Sequence, residues 1–188
     1  TYMALSNEAL STRGQTPRYT QEDIEMTRSG ADPYLYPDID WMKILFKDFG
    51  RNRTANANIS GGSDMAVYYV GLSYYGEDGL YKVDRRHDYN ANTSYARYSV
   101  TSNLTLKPHK TTEIKLGIQG YLANANYPAA SNSSIFGAAF ATQPNYIFPV
   151  YPNGYIADKP SGAVTNPYAI LNEQGYAEQW RRDRKSVV

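Results

Sequence analysis

The chain has 188 residues, with 19 Lys and Arg against 18 Asp and Glu, no Cys, 19 Tyr, 14 Gly and 10 Pro. A near-neutral balance supplies no field to gather nucleic acid or an anionic membrane surface, and the lack of Cys removes disulfide frameworks and thiolate metal sites. No apolar run approaches the roughly 20 residues of a membrane helix, whereas a mean hydropathy of −0.60 still leaves room for barrel strands, whose alternation is averaged away by polar loops.

Residues 1–53 are expected to form a loop region with short helices. Thr20 with Asp23 one turn on resembles a capping box, opening a brief helix to about Arg28 that Gly30 and Pro33 end. Asp40 can cap a second helix. Its apolar spacing runs from Trp41 to Phe49, with Gly50 placed where a helix C-terminus takes a left-handed residue.

From residue 54 the period changes from helical to two, and four antiparallel strands are expected within 54–125. In the first, Ala55, Ala57 and Ile59 alternate with Asn56, Asn58 and Ser60. In the second, Ala66, Tyr68, Val70, Leu72 and Tyr74 face away from Tyr69, Gly71 and Ser73. The third sets Ala96, Tyr98, Val100, Leu104 and Leu106 against Tyr95, Arg97, Ser99, Thr101, Asn103 and Thr105, with Ser102 the one polar residue on the apolar side. The fourth sets Ile114, Leu116, Ile118 and Leu122 against Glu113, Lys115, Gln119 and Tyr121. Residues 126–171 then read as a long loop rich in Pro, Asn, Gly and aromatics, and 172–182 as the start of a further strand.

Alternation alone fits a soluble sandwich or a lipid-facing barrel, since both hide one face of each strand. The connections separate the two. Gly61–Asp64 and Lys107–Thr111 are tight turns, while Gly76–Thr93 and the segment after the fourth strand are long. Short, long, short, long is the rhythm of outer-membrane barrels, with brief periplasmic turns and extended extracellular loops. The fold expected is therefore all-β: a partial antiparallel transmembrane β-barrel of about four to five strands, its long extracellular loops carrying the short helices. Tyr68 and Tyr74 stand near the two ends of an apolar stretch, as interfacial girdles require. A closed barrel needs about 8 strands, so the chain is expected to be an internal piece of a larger one. Arg97, Asn103 and Gln119 would then face the lumen. The last residues, Asp183 to Val188, match one reading frame of a common sequencing adapter, and 183–188 is expected to be a scar.

Several short motifs in order resemble the SusC/RagA family of TonB-dependent outer-membrane transporters. They are Leu5-Ser6-Asn7-Glu8-Ala9, Tyr36-Pro37-Asp38-Ile39-Asp40-Trp41, Ile59-Ser60-Gly61-Gly62-Ser63 leading into Val67-Tyr68-Tyr69-Val70-Gly71-Leu72-Ser73-Tyr74, and Glu77-Asp78-Gly79-Leu80. Arg97-Tyr98-Ser99-Val100 with Asn103, Pro128, Asn153-Gly154 and Asn166-Pro167 continue the pattern. The resemblance implies TonB-driven import of oligosaccharides or peptides across the outer membrane of a Gram-negative cell, through a barrel of about 22 strands with a plugged lumen. It implies a SusD-like surface lipoprotein as lid, and contact with the TonB complex through a segment and a plug that precede this region. The region would hold roughly strands two to five.

Catalytic chemistry is thin, and neither an enzyme, a cofactor nor a metal centre is expected. His87 and His109 are far apart. Asp40 is better explained as a cap than as a catalytic partner of Asp38, and Ser63 as a turn residue than as a nucleophile, since no helix follows it. The run Asp84-Arg85-Arg86-His87-Asp88 reads as self-paired charge. The aromatics Tyr127, Phe136, Phe140, Tyr146, Phe148, Tyr151 and Tyr155 are the better candidates for ligand or partner contacts. Their rings either stack on a sugar or partner lipoprotein, or pack on one another to order the loop. The alternative to a transporter is a secreted soluble β-sandwich that binds carbohydrate through these rings; a glycan-cleaving enzyme would need a second carboxylate in a cleft.

Overall fold

A computed structural model describes residues 2–157 and 166–187, with side chains described up to residue 178. Residues 1, 158–165 and 188 lie outside this description, as does the last residue of the expected scar. The chain divides into two compact units, one built from residues 1–48, 82–89 and 128–175, the other from residues 49–81, 90–127 and 176–188.

Among the described residues the second unit is a five-stranded sheet in sequence order, antiparallel from β1 to β4: β1 Arg51–Gly62, β2 Ala66–Asp78, β3 Ser94–His109, β4 Thr112–Pro128 and β5 Tyr176–Val187. β1 begins before residue 54 and β4 runs past residue 125, while β5 starts at Tyr176 and continues over 183–187. The turns are tight because the chain supplies their chemistry. Ser63 donates to and accepts from Ala66 across the first (2.7 and 3.3 Å, backbone to backbone). Lys110 and Thr111 close the second between paired His109 and Thr112. Pro108, which has no N–H for a ladder, sits in the register shift between Leu106 and His109, one of the few places a strand tolerates it.

Register turns the alternation of single strands into two continuous faces, because residues directly opposite each other share a face. One face carries the rows Ala57, Leu72, Val100 and Gly120; Ile59, Val70, Ser102 and Ile118; and Gly61, Tyr68, Leu104 and Leu116. It ends in a row of Ala55, Tyr74, Tyr98 and Leu122, where the two tyrosine rings lie 5.0 Å apart. Beyond that row the face turns polar, with Arg53 paired to Asp78 at 3.1 Å. From Tyr98 to Leu106 the apolar band covers about 26 Å of strand, or about 20 Å of height at a tilt of about 40°. Tyr68 and Tyr74 lie over glycines: a Cβ on Gly61 would meet the Tyr68 hydroxyl at 2.7 Å, and one on Gly76 would collide with the Tyr74 hydroxyl. Absent side chains there let each ring lie along the sheet and fill the band's edge.

Among the described residues the other unit holds five short helices: α1 Tyr2–Ser11, α2 Gln21–Ser29, α3 Trp41–Leu45, α4 Asn132–Ala141 and α5 Pro167–Asn172. α2 is built as its capping pattern predicts. Thr20 accepts from the Asp23 N–H, Asp23 accepts from the Thr20 N–H, and Gly30 takes the left-handed conformation at φ 65°. α3 is capped by Asp40, whose carboxylate accepts from the Lys43 N–H at 3.0 Å, but it stops at Leu45 instead of running to Phe49. The Leu45 carbonyl, which a longer helix would offer to residue 49, accepts from the Lys82 N–H at 2.8 Å, and Phe46 turns extended to stack on Phe136 at 4.8 Å. Gly50 is therefore not a helix end; a Cβ on it would press against the Asp78 carbonyl oxygen at 3.0 Å. The core of this unit is Met3, Ile24, Trp41, Leu45, Ile135, Ala139, Ile170 and Leu171. Asn166, fully buried, fastens the start of α5 by donating to the carbonyls of Pro149 and Ala157 at 2.8 and 3.0 Å and accepting from the Tyr168 N–H.

Candidate functional site

Two surfaces carry the residues with chemistry. The first is the polar face of the sheet. Its rows are Thr54, Tyr75, Arg97 and Ala123; Asn56, Ser73, Ser99 and Tyr121; Asn58, Gly71, Thr101 and Gln119; and Ser60, Tyr69, Asn103 and Gly117. Arg97, Asn103 and Gln119 thus share one face, as alternation predicts. The Arg97 guanidinium stands 4.2 Å over the Tyr121 ring, a contact worth about 0.5–1 kcal/mol at an exposed site. It fixes a cation among four rows that are otherwise uncharged and rich in amides, hydroxyls and phenols.

The second surface belongs to the helical unit, where the aromatics predicted from the sequence fall into separate groups. Phe148, Tyr151 and Tyr155 join with Tyr34: Tyr34 lies 4.7 Å from Phe148 and 5.3 Å from Tyr151, and Tyr151 lies 6.1 Å from Tyr155. Phe136 joins Phe46 and Phe140 in a second stack. Tyr146 is half-buried, its N–H donating to the Gln143 carbonyl at 3.2 Å. Tyr127 lies in β4, among the residues of the sheet unit. The rings do pack on one another, yet Tyr155 and Phe140 remain 65% and 74% exposed, so each group ends in an open ring. Tyr34 and Phe46 were missed because they sit far upstream in sequence; the cluster Tyr34-Leu35-Tyr36 beside Pro33 was their only signal.

Within the helical unit, the run from Asp84 to Asp88 is a clamp on α5. The Asp84 carboxylate accepts from the Arg86 guanidinium at 2.7 Å, from the Arg86 N–H at 2.9 Å and from the Tyr168 hydroxyl at 2.6 Å. The guanidinium holds the Asp84 carboxyl well below the usual carboxylate range, against the opposing effect of its burial. Burial, with the Asp84 hydrogen bond second, pushes the Tyr168 phenol up to about 12. The Asp84 N–H donates to the Asn172 side chain at 2.8 Å, the Tyr89 hydroxyl to the Asn172 carbonyl at 2.6 Å, and His87 pairs with Glu173 at 2.8 Å. Single ligand atoms of Asp84, His87 and Glu173 lie within 4.8 Å of one another, but each is already engaged, and a metal ion would have to displace Arg86. Within the run Asp84 pairs with Arg86, and its other contacts reach α5 and Glu173. His109 lies at the β3–β4 turn against the Thr111 hydroxyl at 3.0 Å. Ser63 is a turn residue between two strands.

No protein-family model matches the chain. Among curated proteins the chain is similar to a TonB-dependent receptor of Formosa agariphila, with 27% identity over 121 residues that make up 64% of this chain and 10% of the receptor. Among solved structures it is similar to a chain of the RagAB peptide importer in the 'closed-closed' state, with a TM-score of 0.52 and 23% identity, over 88% of this chain and 21% of that one. The chain spans between a tenth and about a fifth of the length of these relatives. Both support the resemblance to TonB-dependent transporters carried by the sequence motifs, and the fold is that of part of a β-barrel transporter.

Proposed function

We propose that the chain is part of an outer-membrane, TonB-dependent active importer of oligosaccharides or peptides in a Gram-negative bacterium. The observation that carries this reading is the sheet's apolar face. It is a single layer whose Ile59, Leu72 and Ile118 are 60%, 56% and 52% exposed, and it is edged by tyrosines. Water does not tolerate so continuous an apolar band without a partner layer; hydrocarbon does. A soluble β-sandwich would cover that face with a second sheet, and the described residues contain only one sheet.

In this reading the opposite face lines the lumen, where Arg97, Asn103 and Gln119 meet the plug or the passing substrate. The long β2–β3 and β4–β5 connections are extracellular, and the two short turns are periplasmic. Tyr127, Phe136, Tyr146, Phe148, Tyr151 and Tyr155 are candidate contacts for a substrate or for a SusD-like surface lipoprotein, since an exposed ring stacks on a sugar or fills a partner's apolar pocket. Energy comes from the TonB complex, acting through the plug that precedes this region in the family it resembles. The chain supplies walls and loops, not catalysis.

Uptake in cells carrying the full-length gene tests the proposal. Growth on oligosaccharide or peptide as sole carbon source should depend on the gene and be lost when TonB is disrupted. Growth that persists without TonB, or a full-length product recovered in the soluble fraction without detergent, contradicts it.

A further inference from the structure

We propose that the two tight turns of the sheet hold the phosphate headgroup of an anionic phospholipid, with Lys107 and Lys110 on the phosphate and the adjoining rows of the apolar face along its acyl chains. The inference goes beyond the proposed importer and rests on that reading for its setting, a sheet whose apolar face lies in a bilayer. A cavity of about 820 Å³ opens at the turns, lined by Asp64 and Met65 from the first and by residues that include Lys107, His109, Lys110 and Glu113 from the second. The turns are tied to each other by the Lys107 N–H, which donates to the Met65 carbonyl at 2.8 Å.

Charge and surface together define what fits. Among the described residues neither Lys107 nor Lys110 pairs with a carboxylate, and the Glu113 carboxylate is taken by Lys115 at 3.6 Å. Two ammonium groups therefore stand against Asp64 alone, a positive surplus that an anion neutralises. The Thr111 N–H donates to His109 Nδ1 at 3.4 Å, which places the neutral ring's proton on Nε2 as a further donor. At the opposite end of the same apolar face the cation is satisfied within the sheet, Arg53 by Asp78 at 3.1 Å. Register puts Ala66, Leu106 and Ile114 in the last apolar row before the turns, with Tyr68, Leu104 and Leu116 in the row behind it. Tyr68, Ile114 and Leu116 are exposed, and Ile114 is two residues, about 7 Å of strand, from Thr112 at the turn. A free phosphate ion would use only the lysines. A phospholipid uses both surfaces, its chains on the apolar rows and its phosphate one step beyond them, where a lysine stem reaches along the apolar edge.

The full-length transporter, purified in detergent, is titrated with dioleoyl phosphatidylglycerol, with dioleoylglycerol, which lacks the phosphate, and with inorganic phosphate. Native mass spectrometry reads the lipids and calorimetry the ion. Phosphatidylglycerol should bind tightest of the three. Lys107→Gln and Lys110→Gln should each weaken it about five-fold, the effect of one lysine at a charged lipid surface, while Lys110→Arg should keep the parent affinity and Asp64→Asn should tighten it. Lys43→Gln, which removes an exposed lysine of the helical unit, should change nothing. Lys107 and Lys110 are exposed, and the tie to Met65 is made by backbone, so the variants should keep the heat-modifiable gel mobility of the folded barrel. Phosphatidylglycerol held no tighter than dioleoylglycerol, binding unchanged in both lysine variants, an equal loss in Lys43→Gln, or inorganic phosphate held as tightly as the lipid overturns the proposal. Each of these results leaves TonB-dependent uptake standing, and uptake that does not depend on TonB counts only against the importer, so the two failures are distinguishable.

Discussion

Asp84 shows how one side chain organises a loop that carries no regular structure. Its side chain is 7% exposed, and its oxygens serve Arg86 and Tyr168 together. Replacing it by Ala should leave the Tyr168 hydroxyl without its acceptor and destabilise the local fold by about 1–3 kcal/mol. Hydrogen exchange in the full-length protein reads this directly: amides of residues 84–89 and of α5 should lose protection, and those of β2 and β3 should not. Acid should act in the same way. The Asp84 carboxyl is depressed in the folded state, so its contribution is present above the ordinary carboxylate range and fades as pH falls below about 4 toward the folded value. At the other extreme the Tyr168 phenol is raised to about 12. That contribution is full below about pH 10 and is lost as pH rises through the folded value. In the Asp84→Ala protein the acid-dependent loss should be absent. The sequence run Asp84 to Asp88 announced paired charge, but not that Tyr168 and Asn172 would complete it, because those partners are fixed only once α5 forms.

Strands and helices differ in how much of themselves the sequence discloses. In β1 to β4 every second residue meets the same surroundings, so a period of two survives over the whole length, and register then aligns Ala57, Leu72 and Val100 without further instruction. The helices are short and bury little. α1 buries only Met3, and α4 only Ile135 and Ala139, so neither shows an apolar stripe, and Ser131 to Ser134 with Gly137 reads as loop. Where a local signal exists, as in Thr20 with Asp23 or Asp40 before Trp41, the structure uses it. The end of α3 was illegible because a tertiary hydrogen bond from Lys82 decides it. Sidedness is the element-scale claim open to test. Val70 lies on the apolar face and Thr101, one residue from Val70's cross-strand partner Ser102, on the polar face. Val70→Arg should cost ~2–4 kcal/mol if it lies near the bilayer midplane, with Thr101→Arg far milder. Reversible unfolding of the full barrel in lipid vesicles measures both, and equal costs would contradict the assigned faces.

At the scale of the whole molecule, strand order β1-β2-β3-β4-β5 with alternating short and long connections is a barrel wall rather than a closed body. Both of its faces have work to do. The fold class was legible because that rhythm and the two-residue period are long-range regularities; which rings group together was not, since Tyr34 and Phe46 join the predicted aromatics only through folding. The central claim is that one face meets hydrocarbon and the other meets water. Spin labels placed singly at each position from Arg97 to Leu106 in the full-length protein, reconstituted in bilayers, test it most directly. Collision with oxygen should peak at Tyr98, Val100, Ser102, Leu104 and Leu106, and collision with a water-soluble nickel chelate should be confined to the positions between them. A profile without that alternation, or one in which both reagents are excluded from the apolar positions as in a packed protein interior, would contradict the account.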